Sequence, residues 1–202
     1  MKLNLLERLF IVNPLRPLLQ RHLEARQLFR LGGPTGGGRA LEIGCGAGAG
    51  VDLIEAMFGA AAVDAFDMDG RMVAQLRRRR LQRRRDSRAW VGNVRRIPVR
   101  DESYDAVFNF GVIHHVLDWR AGLREVSRVL KPGGRFYCEE ILARYITHPV
   151  LGRLMRHPQE DRFDGATFRA ALAQSGFTVK AAREMAHLYL WVIADKSAAP
   201  TA

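Results

Sequence analysis

The chain has 202 residues, of which 48 % are hydrophobic, and a formal net charge of +11 from 32 lysines and arginines against 21 acidic residues. This predicts one globular domain whose basic surface attracts phosphates of nucleic acid or anionic lipid. No run of about 20 apolar residues and no signal-peptide pattern is present, so we expect no transmembrane segment and a cytoplasmic protein. Two cysteines are too few for a disulfide scaffold or a metal cluster, and no metal site is predicted.

The first part of the chain carries leucines at helical spacing. Residues 1–31 are predicted to form amphipathic helices that Pro14 and Pro17 separate. These helices either pack on the domain or form a mobile substrate cover or a membrane-surface element. The main domain is predicted over residues 32–195, followed by a disordered tail at 196–202.

A strand and a glycine-rich turn follow in residues 39–50, RALEIGCGAGAG. Glycines at 44, 46 and 48 predict a tight turn into a helix, with a nucleotide-like ligand lying against the backbone. Glu42 stands two residues before the first glycine, where its charge would repel a pyrophosphate. It suits a ligand with a cationic amino group, such as S-adenosylmethionine.

The next predicted strand, residues 61–66, is followed by Asp67, about 20 residues beyond the turn, where an acidic side chain commonly binds ribose hydroxyls. Asp69 is a candidate cap for the following helix. That helix runs into Arg77 to Arg85, which holds seven arginines in nine residues. The tract is either a solvated face or a docking surface for anionic lipid, and the lack of interleaved aromatic residues disfavours nucleic acid.

Strands and helices alternate through the rest of the chain, which predicts an α/β, Rossmann-like, doubly wound and mostly parallel seven-stranded sheet with helices on both faces. A KPGG sequence is predicted to stop the helix before the fifth strand. Predicted strands lie at 89–91, 104–110, 135–142, 178–182 and 187–194, and predicted helices at 119–129 and 164–174.

Four motifs now occur in a recognisable order: LEIGCGAG (41–48), VDAFD (63–67), GNVRRIPVRDESYDAVFNFGVIHHV (92–116) and EVSRVLKPGGRFY (125–137). With them the chain resembles the class I S-adenosylmethionine-dependent methyltransferases, in the type 11 group that includes quinone-biosynthesis methyltransferases. The resemblance covers about residues 39–195. It implies S-adenosylmethionine as the cofactor and S-adenosylhomocysteine as its product.

The resemblance also implies roles for single residues. Glu42 and the turn would surround the methionine part of the cofactor, Asp67 would bind the ribose, and Met68 would lie against the adenine. Asn93 stands where the family has aspartate, and its amide oxygen can still accept a hydrogen bond from the adenine amino group. The predicted cofactor-binding set is Glu42, Gly44, Cys45, Gly46, Gly48, Asp67, Met68, Asn93, Val94, Asn109 and Phe110.

The reaction implied is direct displacement of the methyl group from the sulfonium. A phenol or carbon acid would also need a base, for which His114, His115 and Glu140 are the candidates. Strand alternation lets only one of Glu139 and Glu140 face the pocket. The expected acceptor is a small or amphiphilic molecule, such as a lipid amine, a prenylated ring or a secondary metabolite. Peripheral contact with the inner membrane face is expected through the arginine tract and the N-terminal helices.

Two other classes of function stay open. An NAD-linked Rossmann oxidoreductase shares the glycine turn and Asp67 but does not account for Glu42 or the later motifs. A non-catalytic nucleotide- or nucleic-acid-binding module accounts for the arginines but leaves the cofactor motifs without a purpose.

Overall fold

The computed structural model describes residues 20–81, 87–148 and 160–198. The predicted helices over residues 1–19, the arginines at 83–85 and the last four residues of the predicted tail lie outside the described residues. No helix in the described part of the chain is both long and apolar enough to cross a bilayer.

The sheet in the described residues has seven strands in the order β3-β2-β1-β4-β5-β7-β6, which confirms the predicted architecture. Strands β1 to β5 run parallel, whereas β7 is antiparallel to both β5 and β6. The carboxyl ends of β1 to β6 therefore meet at one edge of the sheet, and that of β7 lies at the opposite edge. The strands are β1 (Arg39–Ile43), β2 (Ala62–Asp67), β3 (Ala89–Val91), β4 (Tyr104–Phe110), β5 (Leu130–Ile141), β6 (Phe177–Met185) and β7 (Tyr189–Lys196).

Helices flank this sheet on both faces, preceded by a π-helical turn at Gln20–Ala25. α1 and α2 share one hydrophobic cluster with the sheet, and α4 and α6 share the other. The helices are α1 (Arg26–Gly32), α2 (Ala49–Ala56), α3 (Gly70–Leu81), α4 (Trp119–Val129), α5 (Ala143–Ile146) and α6 (Gly165–Gln174).

Aromatic side chains fill both cores. Beneath α4 and α6, the ring of Trp119 lies 4.7 Å from that of Phe163 and 5.8 Å from that of Phe168. Beneath α1 and α2, the ring of Phe58 lies 4.8 Å from that of Phe108 and 5.2 Å from that of Tyr137. Each such fully buried ring contributes roughly 1.5–3 kcal/mol. The two cores fix the sheet rigidly and leave its carboxyl edge for function.

Several element boundaries differ from the sequence-based expectation, and three of the differences have a clear structural basis. The strand predicted from His187 begins at Tyr189, because Ala186 and His187, with φ of 51° and 55°, form the hairpin turn. The KPGG motif does end α4, yet it lies within β5 as an irregularity where the pairing with β4 shifts register. The predicted tail begins too early, since Lys196 belongs to β7 and the amide of Ser197 donates to the carbonyl of Gly176.

Candidate cofactor and acceptor site

The glycine turn between β1 and α2 has the backbone that the sequence predicted. Gly44, Gly46 and Gly48 all have positive φ, of 66°, 49° and 92°. A Cβ at Gly44 would overlap Val112, and one at Gly48 would overlap Leu76. A Cβ at Gly46 would have no atom within 4 Å. The turn is therefore packed on two sides and open beside Gly46, where a ligand can approach the backbone.

The carboxylate of Glu42 lies against the first turn of α2. Glu42 is 2 % exposed, and a Cβ on Gly50 would overlap its Oε1. A pyrophosphate held by the amides of this helix end would meet that negative charge. The geometry favours a cationic ligand over a dinucleotide.

Asp67, the last residue of β2, joins the turn to the second strand. Its Oδ2 accepts from the amide of Gly46 at 2.9 Å, and its Oδ1 accepts from the amide of Asp69 at 2.8 Å. Each oxygen keeps a second lone-pair direction for a ribose hydroxyl. Met68, 61 % exposed, offers an apolar surface beside it. Asp69 caps α3 as predicted, since its Oδ1 accepts from the amide of Arg71 at 2.9 Å.

The loop after β3 adjoins Asp67, whose carbonyl accepts from the amide of Gly92 at 3.0 Å. Asn93 uses its Oδ1 locally, accepting from the amide of Arg95 at 3.0 Å. Val94 is 4 % exposed, and its methyl groups pack against Gly122 of α4. The contacts of Asn93 and Val94 with an adenine stay predictions. Because the side chain of Val94 is buried, only its backbone is available for such a contact.

Asn109 and Phe110, at the end of β4, are both buried. The Nδ2 of Asn109 donates to Glu140 Oε1 at 2.6 Å and to the carbonyl of Glu139 at 2.9 Å, and its Oδ1 accepts from the amide of Val112 at 3.1 Å. The side chain of Asn109 thus positions its neighbours, and only its backbone could lie along a cofactor.

Glu140 and His114 form a buried pair, 0 % and 2 % exposed. The Nδ1 of His114 lies 2.6 Å from Glu140 Oε2, which also accepts from the amide of His114 at 3.1 Å. Glu140 Oε1 accepts from the amide of Ile113 at 2.8 Å. Burial raises the pKa of Glu140 to about 7, while its hydrogen bonds and the nearby His115 act in the other direction. An ionised Glu140 places the proton on Nδ1, so the second ring nitrogen, Nε2, is the basic one.

The two other candidates, His115 and Glu139, lie on different sides of the sheet. The ring of His115 lies 4.2 Å from that of His114. Glu139 points to the opposite face of the sheet from Glu140, beside Phe110 and Trp191 of the adjacent strands. The structure therefore brings His114, His115 and Glu140 together and leaves Glu139 on the side of α1 and α2.

Comparison with known proteins finds a similar family. The profile of the type 11 methyltransferase domain matches residues 41–138. Over this range, a little less than half of the chain, the sequence is similar to that methyltransferase domain. The matched range contains the glycine turn, Asp67 and His114.

This chain matches only part of the length of its relatives. A Mycolicibacterium smegmatis protein named "Probable S-adenosylmethionine-dependent methyltransferase" is 42 % identical over 107 residues, 53 % of this chain and 39 % of the relative. The ubiquinone/menaquinone biosynthesis C-methyltransferase of Caulobacter vibrioides is 51 % identical over 61 residues, 30 % of this chain and 23 % of the relative. A fatty-acid O-methyltransferase of M. smegmatis is 32 % identical over 113 residues, 54 % of this chain and 39 % of the relative. The chain spans less than half the length of these relatives.

The fold extends beyond the matched domain. A crystal structure of an S-adenosylmethionine-dependent methyltransferase from Mesorhizobium loti superposes with a TM-score of 0.69 over 84 % of this chain and 96 % of that chain, at 20 % identity. The chain has the class I, Rossmann-like methyltransferase fold.

S-adenosylmethionine, the methyl donor of this family, fits the residues present. The open backbone at Gly46 forms a cradle that a Cβ would fill. Two carboxylates, Glu42 and Asp67, flank it and match a ligand whose amino and sulfonium groups are cationic. Among the described residues, no group of three or more His, Cys, Asp or Glu is arranged to hold a metal ion.

Two arginines reach this site without any local sequence signal. Arg79, in the arginine tract, donates from Nη1 to the carbonyl of Ala47 at 2.7 Å and pairs with Asp52 of α2. Arg162 donates from Nη1 to the carbonyl of His114. The sequence singled out Arg79 only as part of the arginine tract and did not single out Arg162, so tertiary packing alone brings each of them to this site.

A cavity of about 290 Å³ opens at the opposite edge of the sheet. Two charged residues that line it form an ion pair with each other, since Lys131 Nζ lies 2.6 Å from Asp105 Oδ1. The hydroxyl of Tyr137 lies 3.1 Å from the carbonyl of Gly33. We assign the site to the carboxyl edge, where the motif residues meet.

Proposed function

We propose that this protein is an S-adenosylmethionine-dependent methyltransferase that methylates an amphiphilic acceptor. The proposal rests on the contact between Gly44 of the cofactor turn and Val112, two residues before His114. That contact supports a cofactor position beside the Glu140–His114 pair, at one edge of the sheet. An NAD-linked oxidoreductase gives no role to the Glu42 carboxylate, which reaches from β1 to the first turn of α2.

The residues divide the chemistry between them. Bound S-adenosylmethionine supplies an electrophilic methyl group on a good leaving group. Glu42 and Asp67 hold the cationic and ribose parts through charge and hydrogen bonds. The Nε2 of His114 accepts the proton of a phenol or carbon-acid acceptor, and Glu140 stabilises the imidazolium through Nδ1.

The acceptor edge is rimmed by apolar side chains. Five large hydrophobic residues are exposed in the described part of the chain, and four follow or end strands at the carboxyl edge: Met68, Val91, Leu117 and Met185. Met68 and Leu117, which follow β2 and β4 near the centre of the sheet, provide apolar surface at this edge, whereas Val91 and Met185 belong to the two outermost strands. Relatives named for quinone biosynthesis and for fatty-acid O-methylation support a lipid-like acceptor.

Calorimetric titration with S-adenosylhomocysteine, with NADH as the control, tests the cofactor. One-site binding of S-adenosylhomocysteine alone supports the proposal. Binding of NADH alone would support the oxidoreductase, and binding of neither would support a non-catalytic module. Transfer of a labelled methyl group to a lipid extract then tests the activity.

The arginine tract supports peripheral contact with an anionic membrane. Arg77, Arg78 and Arg79 are exposed on α3, and the net charge of the chain is +11. Arginines near an anionic bilayer each contribute about 1 kcal/mol of attraction. We expect co-sedimentation with phosphatidylglycerol vesicles that weakens with salt, and none with phosphatidylcholine vesicles. Equal binding to both, or tight salt-resistant binding to DNA, would contradict this assignment.

A further inference from the structure

Arg162 lies beside the Glu140–His114 pair, although the chain reaches it only after β5 and α5. Its Nη1 donates to the carbonyl of His114, and its Nε donates to the carbonyl of Glu160 at 2.8 Å. A Cβ on Gly111, the residue after β4, would lie 3.5 Å from the His114 ring. The guanidinium is therefore held at the end of β4, on the acceptor side of the cofactor turn.

The remaining nitrogen of this guanidinium is buried and unsatisfied. Arg162 Nη2 is shielded from solvent and has no hydrogen-bond partner among the residues that the structure describes. A buried donor left unpaired is unfavourable, and more so when it is charged. Burial lowers the pKa of Arg162, and the negative charges of Asp161 and Glu140 oppose that shift, so the group stays cationic.

We propose that Nη2 of Arg162 binds an anionic oxygen of the methyl acceptor, which is a carboxylate or an ionised phenol or enol. This subsite rests on the proposed function and narrows it to acceptors with an acidic oxygen. A guanidinium binds such an oxygen through a short, charge-assisted hydrogen bond. A protonated amine in the same place would meet the charge of Arg162 and be repelled.

An amine would find better surroundings on the other face of the sheet. There Glu139, 5 % exposed, lies between Phe110 and Trp191 in neighbouring strands. A carboxylate between aromatic rings suits a cation. Comparing the binding of anionic and cationic acceptor probes therefore shows which of the two faces binds the acceptor.

The experiment uses the full chain saturated with S-adenosylhomocysteine and titrated calorimetrically with octanoate, 4-butylphenol, octylamine and octanol. We expect octanoate or the phenol to bind and octylamine and octanol to bind at least tenfold more weakly. A preference for octanoate identifies a carboxylate acceptor. A preference for the phenol, with the absorbance change of a phenolate, identifies a phenolic one. Tighter binding of octylamine, or binding of no probe, overturns the subsite.

The variants are R162Q, R162K and the matched control R124Q, which removes the same charge from an exposed position of α4. We expect R162Q to weaken binding of the preferred probe at least tenfold, R162K to restore part of it, and R124Q to change it less than twofold. Equal affinity in R162Q and R124Q overturns the assignment. S-adenosylhomocysteine binding is measured first on every variant. Failure of the wild type to bind it defeats the proposed function, whereas loss of the difference between probes defeats only the subsite.

Discussion

The cofactor half and the acceptor half of the edge are built in different ways. In the cofactor half, Asp67 contacts a backbone amide of the glycine turn 21 residues earlier. In the acceptor half, His114 is held by Glu140, 26 residues later, and by Arg162, 48 residues later. The first half is fixed largely by backbone groups, the second by side chains from separate elements. The difference teaches that cofactor binding depends on the backbone of the turn and on one carboxylate, Asp67, whereas acceptor choice depends on several side chains from separate elements.

The largest effect is expected from D67A, which should weaken S-adenosylhomocysteine binding by roughly several hundredfold. The variant removes the predicted ribose contacts, each worth about 1.5–3 kcal/mol for a charged group, and the acceptor of the Gly46 amide. Calorimetry measures the change. The control D69A loses the cap of α3, at about 1 kcal/mol of stability, and should bind within threefold of the wild type. A larger loss in D69A would mean that the α3 cap, and not the ribose contact, controls affinity.

The second largest effect is expected in the pH dependence of stability, which reports on Glu140 in the acceptor half. The pKa of Glu140 is raised to about 7 by burial, against an ordinary value of 4.5. The protonated carboxyl of Glu140 stabilises the fold fully when the pH is below the pKa of the unfolded chain. This contribution is lost as the pH rises through the raised pKa of the folded protein. Relative to E140Q, the wild type should therefore lose on the order of 3 kcal/mol of unfolding free energy between about pH 4.5 and 7. Urea unfolding across this range measures it, and parallel curves for the two proteins would refute the shift.

E140Q should also lower kcat by about a hundredfold while leaving S-adenosylhomocysteine affinity within threefold. A glutamine amide facing Nδ1 donates a hydrogen bond and moves the imidazole proton to Nε2, so His114 can no longer accept one. Steady-state kinetics with the identified acceptor provide the measurement. E139Q, changed on the opposite face, is the matched control. If E139Q lowers kcat more than E140Q does, the reacting group lies on the other side of the sheet.

The smallest effect is expected from R79Q, a loss of up to tenfold in S-adenosylhomocysteine affinity. Arg79 is partly exposed and supports the turn through the carbonyl of Ala47 and through Asp52. R78Q removes the same charge from the neighbouring exposed position and should bind like the wild type. Identical affinities in the two variants would show that the turn holds its shape without this arginine.

Much of the cofactor half could be predicted because its signals are local. Glycines at alternate positions, Glu42 before them and Asp67 at the next strand end follow from backbone geometry and charge. The mostly parallel seven-stranded sheet was predictable from alternating strands and helices, whereas its strand order was not predicted. The contacts of these residues with the cofactor remain predictions.

The acceptor half could be predicted only as a set of residue types. The pairing of His114 with Glu140 depends on the register of β4 with β5, which no local pattern specifies. Asn109 was expected beside the cofactor because of its motif, yet its amide groups satisfy buried partners in β5. Arg162 is one arginine among many in a strongly basic chain, and only the packing of the segment before α6 places it at the site.

The close packing of Glu42 on Gly50 has a consequence for how related sequences vary. A methyl group at position 50 would overlap the Glu42 carboxylate, because the side chain from β1 occupies that space. A chain with the shorter aspartate at position 42 leaves room there for alanine. Homologous chains should therefore substitute these two positions together, and the double variant E42D/G50A should regain stability that G50A alone loses.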